Sequence, residues 1–224
     1  EIRKVTGVQT CALPISVALG MVAVCTFFMG QFMLFTYLRP FLETVTHVSV
    51  SMLSLILLVL GLAGLAGTFL IERFLKNGLY PTLIVIPLMM AAVAIALVMV
   101  GRSTLMTTVL LTLWGLMATA APVGWWTWLA RTLPHDAEAG GGLMVAIIQL
   151  AIASGAIAGG WVFDLRGYQA TFELSAAVLG AAAVLAWAAG RVAKQPRPTY
   201  RDSRPQDNRN PHEALRARTA THRT

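Results

Sequence analysis

The chain has 224 residues, of which 57% are hydrophobic and only 12% charged, with a mean hydropathy of +0.69; a soluble domain carries about a quarter of its residues charged. That balance excludes an ordinary soluble domain and implies a membrane protein. The formal charge of +7 does not imply nucleic-acid binding, because nine of the seventeen Lys and Arg residues follow Gly190 and so belong to a tail rather than a face. Two cysteines, Cys11 and Cys25, are too few for a disulfide framework or a metal site, and no cofactor is expected.

The first fifteen residues, "EIRKVTGVQTCALPI", pose a separate question. A secretory signal needs a compact apolar segment after its basic end, and Thr6, Gly7, Gln9 and Thr10 occupy that place. A lipoprotein reading fails because Val8, Gln9 and Thr10 precede Cys11. A cytoplasmic linker is the plain alternative. The stretch "VTGVQTCALPI" nevertheless looks like a one-frame translation of a widely used short-read sequencing adapter. Residues 1–15 are therefore expected to be a library artefact, with the native sequence resuming near Val17 as the back part of a longer protein.

A bilayer core about 30 Å thick needs about 20 mostly apolar residues per helix. Six such runs are predicted: Val17 to Leu38, Met52 to Ile71, Leu79 to Val100, Leu105 to Leu129, Leu143 to Phe163 and Thr171 to Ala189. The first holds Gln31 at mid-span, an amide that wants either a neighbouring helix or a polar ligand. The second holds "GLAGLAG" (Gly61, Gly64, Gly67), small residues that let helices approach closely. Pro87 in the third and Pro122 in the fourth each deprive a carbonyl of its helical donor and are expected to kink their helices. The fourth also carries Trp114, eleven residues or three turns before Trp125 and so on the same side. Trp114 is the better cavity residue, whereas Trp125, Trp126 and Trp128 of "GWWTWLAR" are expected in the interfacial aromatic belt. The fifth run contains Gln149 and the pair Gly155 and Gly159.

Short connections make successive helices antiparallel, and six spans put both ends of the chain on one side. That side collects Arg73, Lys76, Arg131 and the nine basic residues of the tail, against Arg39, Arg102 and Arg166 opposite, so the tail is expected to be cytoplasmic. Residues 191–224, rich in Pro, Arg, Asn and Asp, are predicted to be a disordered basic tail that fixes topology or touches anionic lipid head groups. The bundle is expected to occupy residues 16–190.

Outside the first fifteen residues and the tail, the acids are Glu43, Glu72, Asp136, Glu138, Asp164 and Glu173, each at a helix end or in a loop, as are His47 and His135. Without a titratable group at mid-bilayer, neither an enzyme nor a proton relay within this segment is expected.

The stretches "GQFMLFTYLRPFLETV", "APVGWWTWLARTLPHDAEAGGGLMVAIIQLA" and "GGWVFDLRGY" resemble the seventh, tenth and eleventh helices of bacterial drug-type antiporters of the major facilitator superfamily, most closely the branch of purine-ribonucleoside and sugar efflux permeases. The resemblance runs from about Val17 to about Ala189. It implies an all-α integral membrane fold in which these six helices form the second half of twelve, with the first six-helix half as missing partner. It further implies a bacterial inner-membrane, proton-coupled exporter that binds a small molecule near the midplane, with Gln31 and Trp114 facing the central cavity and Gln149 as a more peripheral contact. The family's loop after the eighth helix carries two glycines around an acid–base pair that locks the cytoplasmic gate. Here "TFLIERFLK" keeps Glu72, Arg73 and Lys76 but has Thr68 and Leu75 at the glycine positions, which weakens that role. The alternative reading is a freestanding six-helix module for binding or assembly, with no transport activity of its own.

Overall fold

The computed structural model describes residues 15–134 and 136–193. The expectations for residues 1–14 and 194–224 therefore lie outside the described residues, as does His135. Within them the chain is helical: α1 (Ile15–Phe35), α2 (Leu38–Thr44), α3 (Val50–Asn77), α4 (Leu79–Val100), α5 (Thr104–Thr132) and α6 (Ala137–Ala193).

As one straight rod the 57 residues of α6 would be about 85 Å long, nearly three bilayer cores. It is instead two helices. Gly167 sits at φ 80° and ψ −177°, outside helical space, a conformation that glycine reaches without the clash a Cβ would cause. The Thr171 hydroxyl then donates to the Gly159 carbonyl at 3.3 Å across twelve residues, which requires the chain to have reversed. The first arm (137–166) and second arm (168–193) are thus separate crossings. With α1, α3, α4 and α5 they make the six that the sequence predicts.

Two features follow from local chemistry. The connection after the first span is not a loop: α2 forms there after a turn in which Tyr37 N–H donates to the Leu34 carbonyl, and Leu38, Phe41 and Leu42 are buried. Pro87 and Pro122 lie inside α4 and α5, both of which continue through them as single helices. A proline inside a continuous helix removes one N–H rung without ending the helix, so the continuity is compatible with the expected kinks.

Glycines set the close contacts, as expected where helices associate without water to drive them. Gly155 and Gly159 of α6 lie against the Met29 and Met33 carbonyls of α1, and Gly64 and Gly67 of α3 lie against Thr119 and the Leu116 carbonyl of α5. Gly61 faces open space. On the other side of α1, Ser175 of the second arm donates its hydroxyl to the Gly30 carbonyl at 2.7 Å. Helix α1 is therefore gripped by both arms of α6. Tyr80 of α4 packs on Gly190, and Gly20 of α1 packs on Trp128, so the α3–α4 turn, the end of α5, Ile15 and Ala193 share one end of the bundle.

Candidate functional site

Among the described residues, two buried side-chain polar atoms have no hydrogen-bond partner: Gln31 Oε1 and Trp114 Nε1. The other buried hydroxyls among the described residues are satisfied by backbone carbonyls, as in the Thr107 and Ser175 bonds. An unpaired acceptor and an unpaired donor in an apolar bundle are costly, about 1–3 kcal/mol each, and buried groups of this kind call for a specific explanation.

The sequence expects both residues to face a central cavity, but the structure places them inside the bundle. Gln31 is 7% exposed and Trp114 0%. On α1, Ala18 and Val22 are exposed, while Gln31 shares the opposite, buried side with Phe27 and Leu34; Phe35, one turn beyond Gln31 on the same face, is exposed at the helix end. Nor do the two meet at one level. Helices α1 and α5 run antiparallel, with Gly20 at Trp128 and the Phe27 ring 6.4 Å from that of Trp125. Gln31 therefore falls opposite residues 117–121, and Trp114 lies roughly 5–10 Å further along the axis. They are two separate unpaired groups at different levels of the bundle.

Gln149 shows the reverse. It is exposed on the first arm of α6, in a row with Ala153 and Ile157 at four-residue spacing. Its neighbours in that row are apolar, so the amide stands alone on a surface where hydrocarbon would not favour it. Of the three proposed contacts it alone lies on a surface.

The tryptophan cluster also departs from expectation. Trp125 and Trp128 are not belt residues: they are buried against each other, edge to face at 6.0 Å, and against α1. Only Trp126 is exposed, at 42%. Burial of the two indoles fastens α1 to α5 at the end that carries Ile15.

Glu72, Arg73 and Lys76 are not loop residues. They occupy the last two turns of α3, all exposed, and a single residue, Gly78, joins α3 to α4. The ion pair found among the described residues is Arg39–Glu43 at 2.8 Å on α2, so Glu72 and Arg73 form no salt bridge there. A groove of about 390 Å³ opens between α3 and α4 beside them, lined by Leu70, Phe74, Val85 and Met89 with Leu116 and Ala120 as floor. Its lining offers almost nothing to recognise a polar solute. No group of three or more His, Cys, Asp or Glu that could hold a metal occurs among the described residues.

A bundle of six long apolar helices stitched by small residues is an integral-membrane architecture. The family model for the Major Facilitator Superfamily matches residues 20–221. The chain belongs to the Major Facilitator Superfamily. A relative from Pseudomonas aeruginosa PAO1, named transcription regulatory protein OpdE, is 58% identical over 169 residues, covering 75% of this chain and 42% of its own length. The purine ribonucleoside efflux pump NepI of Escherichia coli K12 is 37% identical over 175 residues, covering 78% of this chain and 44% of its own length; a pump of the same name from Shigella flexneri matches equally. The chain thus spans a little under half the length of these relatives. As a member of the superfamily it is a multi-pass membrane protein with an efflux pump among its relatives.

Proposed function

We propose that this chain forms one six-helix half of a secondary transporter that exports small polar molecules, purine ribonucleosides being the class to test first, by exchange with protons. The observation that supports the substrate class is the 37% identity with the E. coli NepI pump across 78% of the chain. The unpaired Gln31 oxygen and Trp114 N–H agree with it in kind, since a nucleoside offers both donors and acceptors. Because both are buried within this half, they would meet substrate only if α1 and α5 parted inside the bundle, a movement additional to the rocking of one half against the other. Gln149 would contact substrate or the opposing bundle from the surface. The coupling acid would come from another six-helix half, because the acids of the described residues sit near helix ends. Glu72, Arg73 and Lys76 would act at the end of α3, fixing topology or the gate, with the chain's C-terminus cytoplasmic and the membrane the bacterial inner one.

The test is flux in vesicles. Joined to a six-helix N-terminal half, the chain should drive uncoupler-sensitive movement of inosine or adenosine; alone it should not. Uncoupler-sensitive flux by the 224-residue chain alone would overturn the half-transporter reading.

A further inference from the structure

At the end of the bundle away from Ile15 and Ala193, three turns meet around one buried ring. Phe41 of α2 lies 5.2 Å from Tyr168 and 4.9 Å from Phe172, centroid to centroid. A side chain at Gly101, in the α4–α5 turn, would run into the same ring. The buried Thr46 hydroxyl donates to the Gly101 carbonyl at 2.7 Å, and Thr107 donates to that oxygen at 3.3 Å. The α2–α3 turn, the α4–α5 turn and the α6 bend are therefore held together by packing and buried hydrogen bonds.

That clamp has a chemical consequence, because each tied residue is followed by a cationic or imidazole side chain: Thr46 by His47, Gly101 by Arg102. Both line a cleft of about 510 Å³ whose other walls are Thr44, Val45, Tyr168 and Gln169. His47 is held there at φ 56°, the positive-φ non-glycine residue among the described ones, a conformation that persists only where its surroundings fix it. No carboxylate lines the cleft, and nearby Glu43 is engaged with Arg39. Ser103 makes no side-chain cap at the start of α5, so the helix's positive end adds to the field of Arg102. A second hollow of about 520 Å³ shares Arg102, Tyr168 and Gln169 and continues onto Met99 and Met106, exposed apolar residues at the ends of α4 and α5.

We propose that this cleft seats the phosphate of an anionic phospholipid from the adjoining leaflet. The Arg102 guanidinium matches phosphate oxygens in fork geometry, with His47 and the Gln169 amide as further donors, and the lipid's apolar part lies over Met99 and Met106. A free anion would have no use for the second hollow. A zwitterionic head group would bring an ammonium with no carboxylate to receive it. The site is independent of the transported substrate.

The 224-residue chain in detergent, titrated with phosphatidylglycerol, phosphatidylcholine or inorganic phosphate and followed by native mass spectrometry, tests this. Phosphatidylglycerol should bind several-fold more tightly than phosphatidylcholine. Arg102→Gln should weaken it about tenfold, the effect of losing one charged hydrogen bond, and Gln169→Leu should weaken it less. Arg131→Gln, an exposed arginine at the opposite end of the bundle, should leave binding unchanged. Equal binding of the two lipids, or equal effects of the Arg131 and Arg102 variants, would overturn the proposal. Inorganic phosphate binding as tightly as phosphatidylglycerol would overturn the lipid assignment and leave the cleft as a soluble-anion site.

Discussion

The Ser175 hydroxyl donates to the carbonyl of Gly30 at 2.7 Å, with Ser175 fully buried between α1 and the second arm of α6. Interhelical hydrogen bonds in membranes contribute about 0.6 kcal/mol on average. The Gly30 carbonyl keeps its own helical donor when the serine is lost. Ser175→Ala is therefore expected to lower stability by only about 0.6 kcal/mol in a thermal melt of the purified chain. Ser175→Leu, which must push α1 away, should cost about 1–3 kcal/mol from overpacking.

A sharper packing prediction concerns Gly20 and Trp128. A Cβ at Gly20 would fall among the ring atoms of Trp128, which is fully buried. Gly20→Ala should destabilise the α1–α5 seam by about 1–3 kcal/mol. Trp128→Phe should also destabilise, by leaving a void. The pair should nevertheless couple favourably, because the smaller ring makes room for the methyl, so the double variant should be more stable than the sum of the single losses. Simple additivity would show that the ring moves aside freely.

How much of this could be read from the amino acids follows from which signals are local. The six crossings were legible because hydrophobic length and turn chemistry are local, down to Gly167 within the predicted "DLRGYQ" connection. The unusual status of Gln31 was legible because an amide in hydrocarbon is anomalous wherever it points. Facing was not legible. An indole suits both a lipid interface and an apolar seam, so "GWWTW" could not reveal that Trp125 and Trp128 turn inward while Trp126 turns out. Likewise the sequence makes Gln149 the most peripheral of the three contacts although it alone is exposed, since its helix is apolar on nearly every side and gives no polar face from which its facing could be read.

Topology makes an independent check. Arg73, Lys76, Arg131 and Arg191 lie at the end shared by the α3–α4 turn and Ala193, against Arg39, Arg102 and Arg166 at the other. On the positive-inside rule that end is expected on the cytoplasmic side. Reporter fusions after Asn77 and after Ala193 should both score cytoplasmic, and a fusion after Thr46 should score outside. A tail scoring outside would mean that the bend at Gly167 does not return the chain across the bilayer.

Gln31 separates stability from function in sign. Its Oε1 is sealed without a partner, so the folded chain carries a desolvation cost of about 1–3 kcal/mol that a similar-sized apolar residue would not. Gln31→Met should therefore raise the melting temperature of the 224-residue chain. If that oxygen is held in reserve for substrate, the same change in a protein joined to an N-terminal half should weaken apparent nucleoside affinity by about 1–2 kcal/mol, roughly tenfold. Trp114→Phe keeps an aromatic ring while deleting the unpaired N–H and part of the indole, so it should lose less affinity than Trp114→Ala, which removes the whole stacking surface, worth about 1 kcal/mol. A general packing role predicts the opposite pattern: stability lost in each variant and affinity untouched. Thermal melts of the chain and nucleoside-uptake titrations in vesicles of the joined protein distinguish the two outcomes, because only a group kept unpaired for a ligand becomes more stable and less active through one substitution.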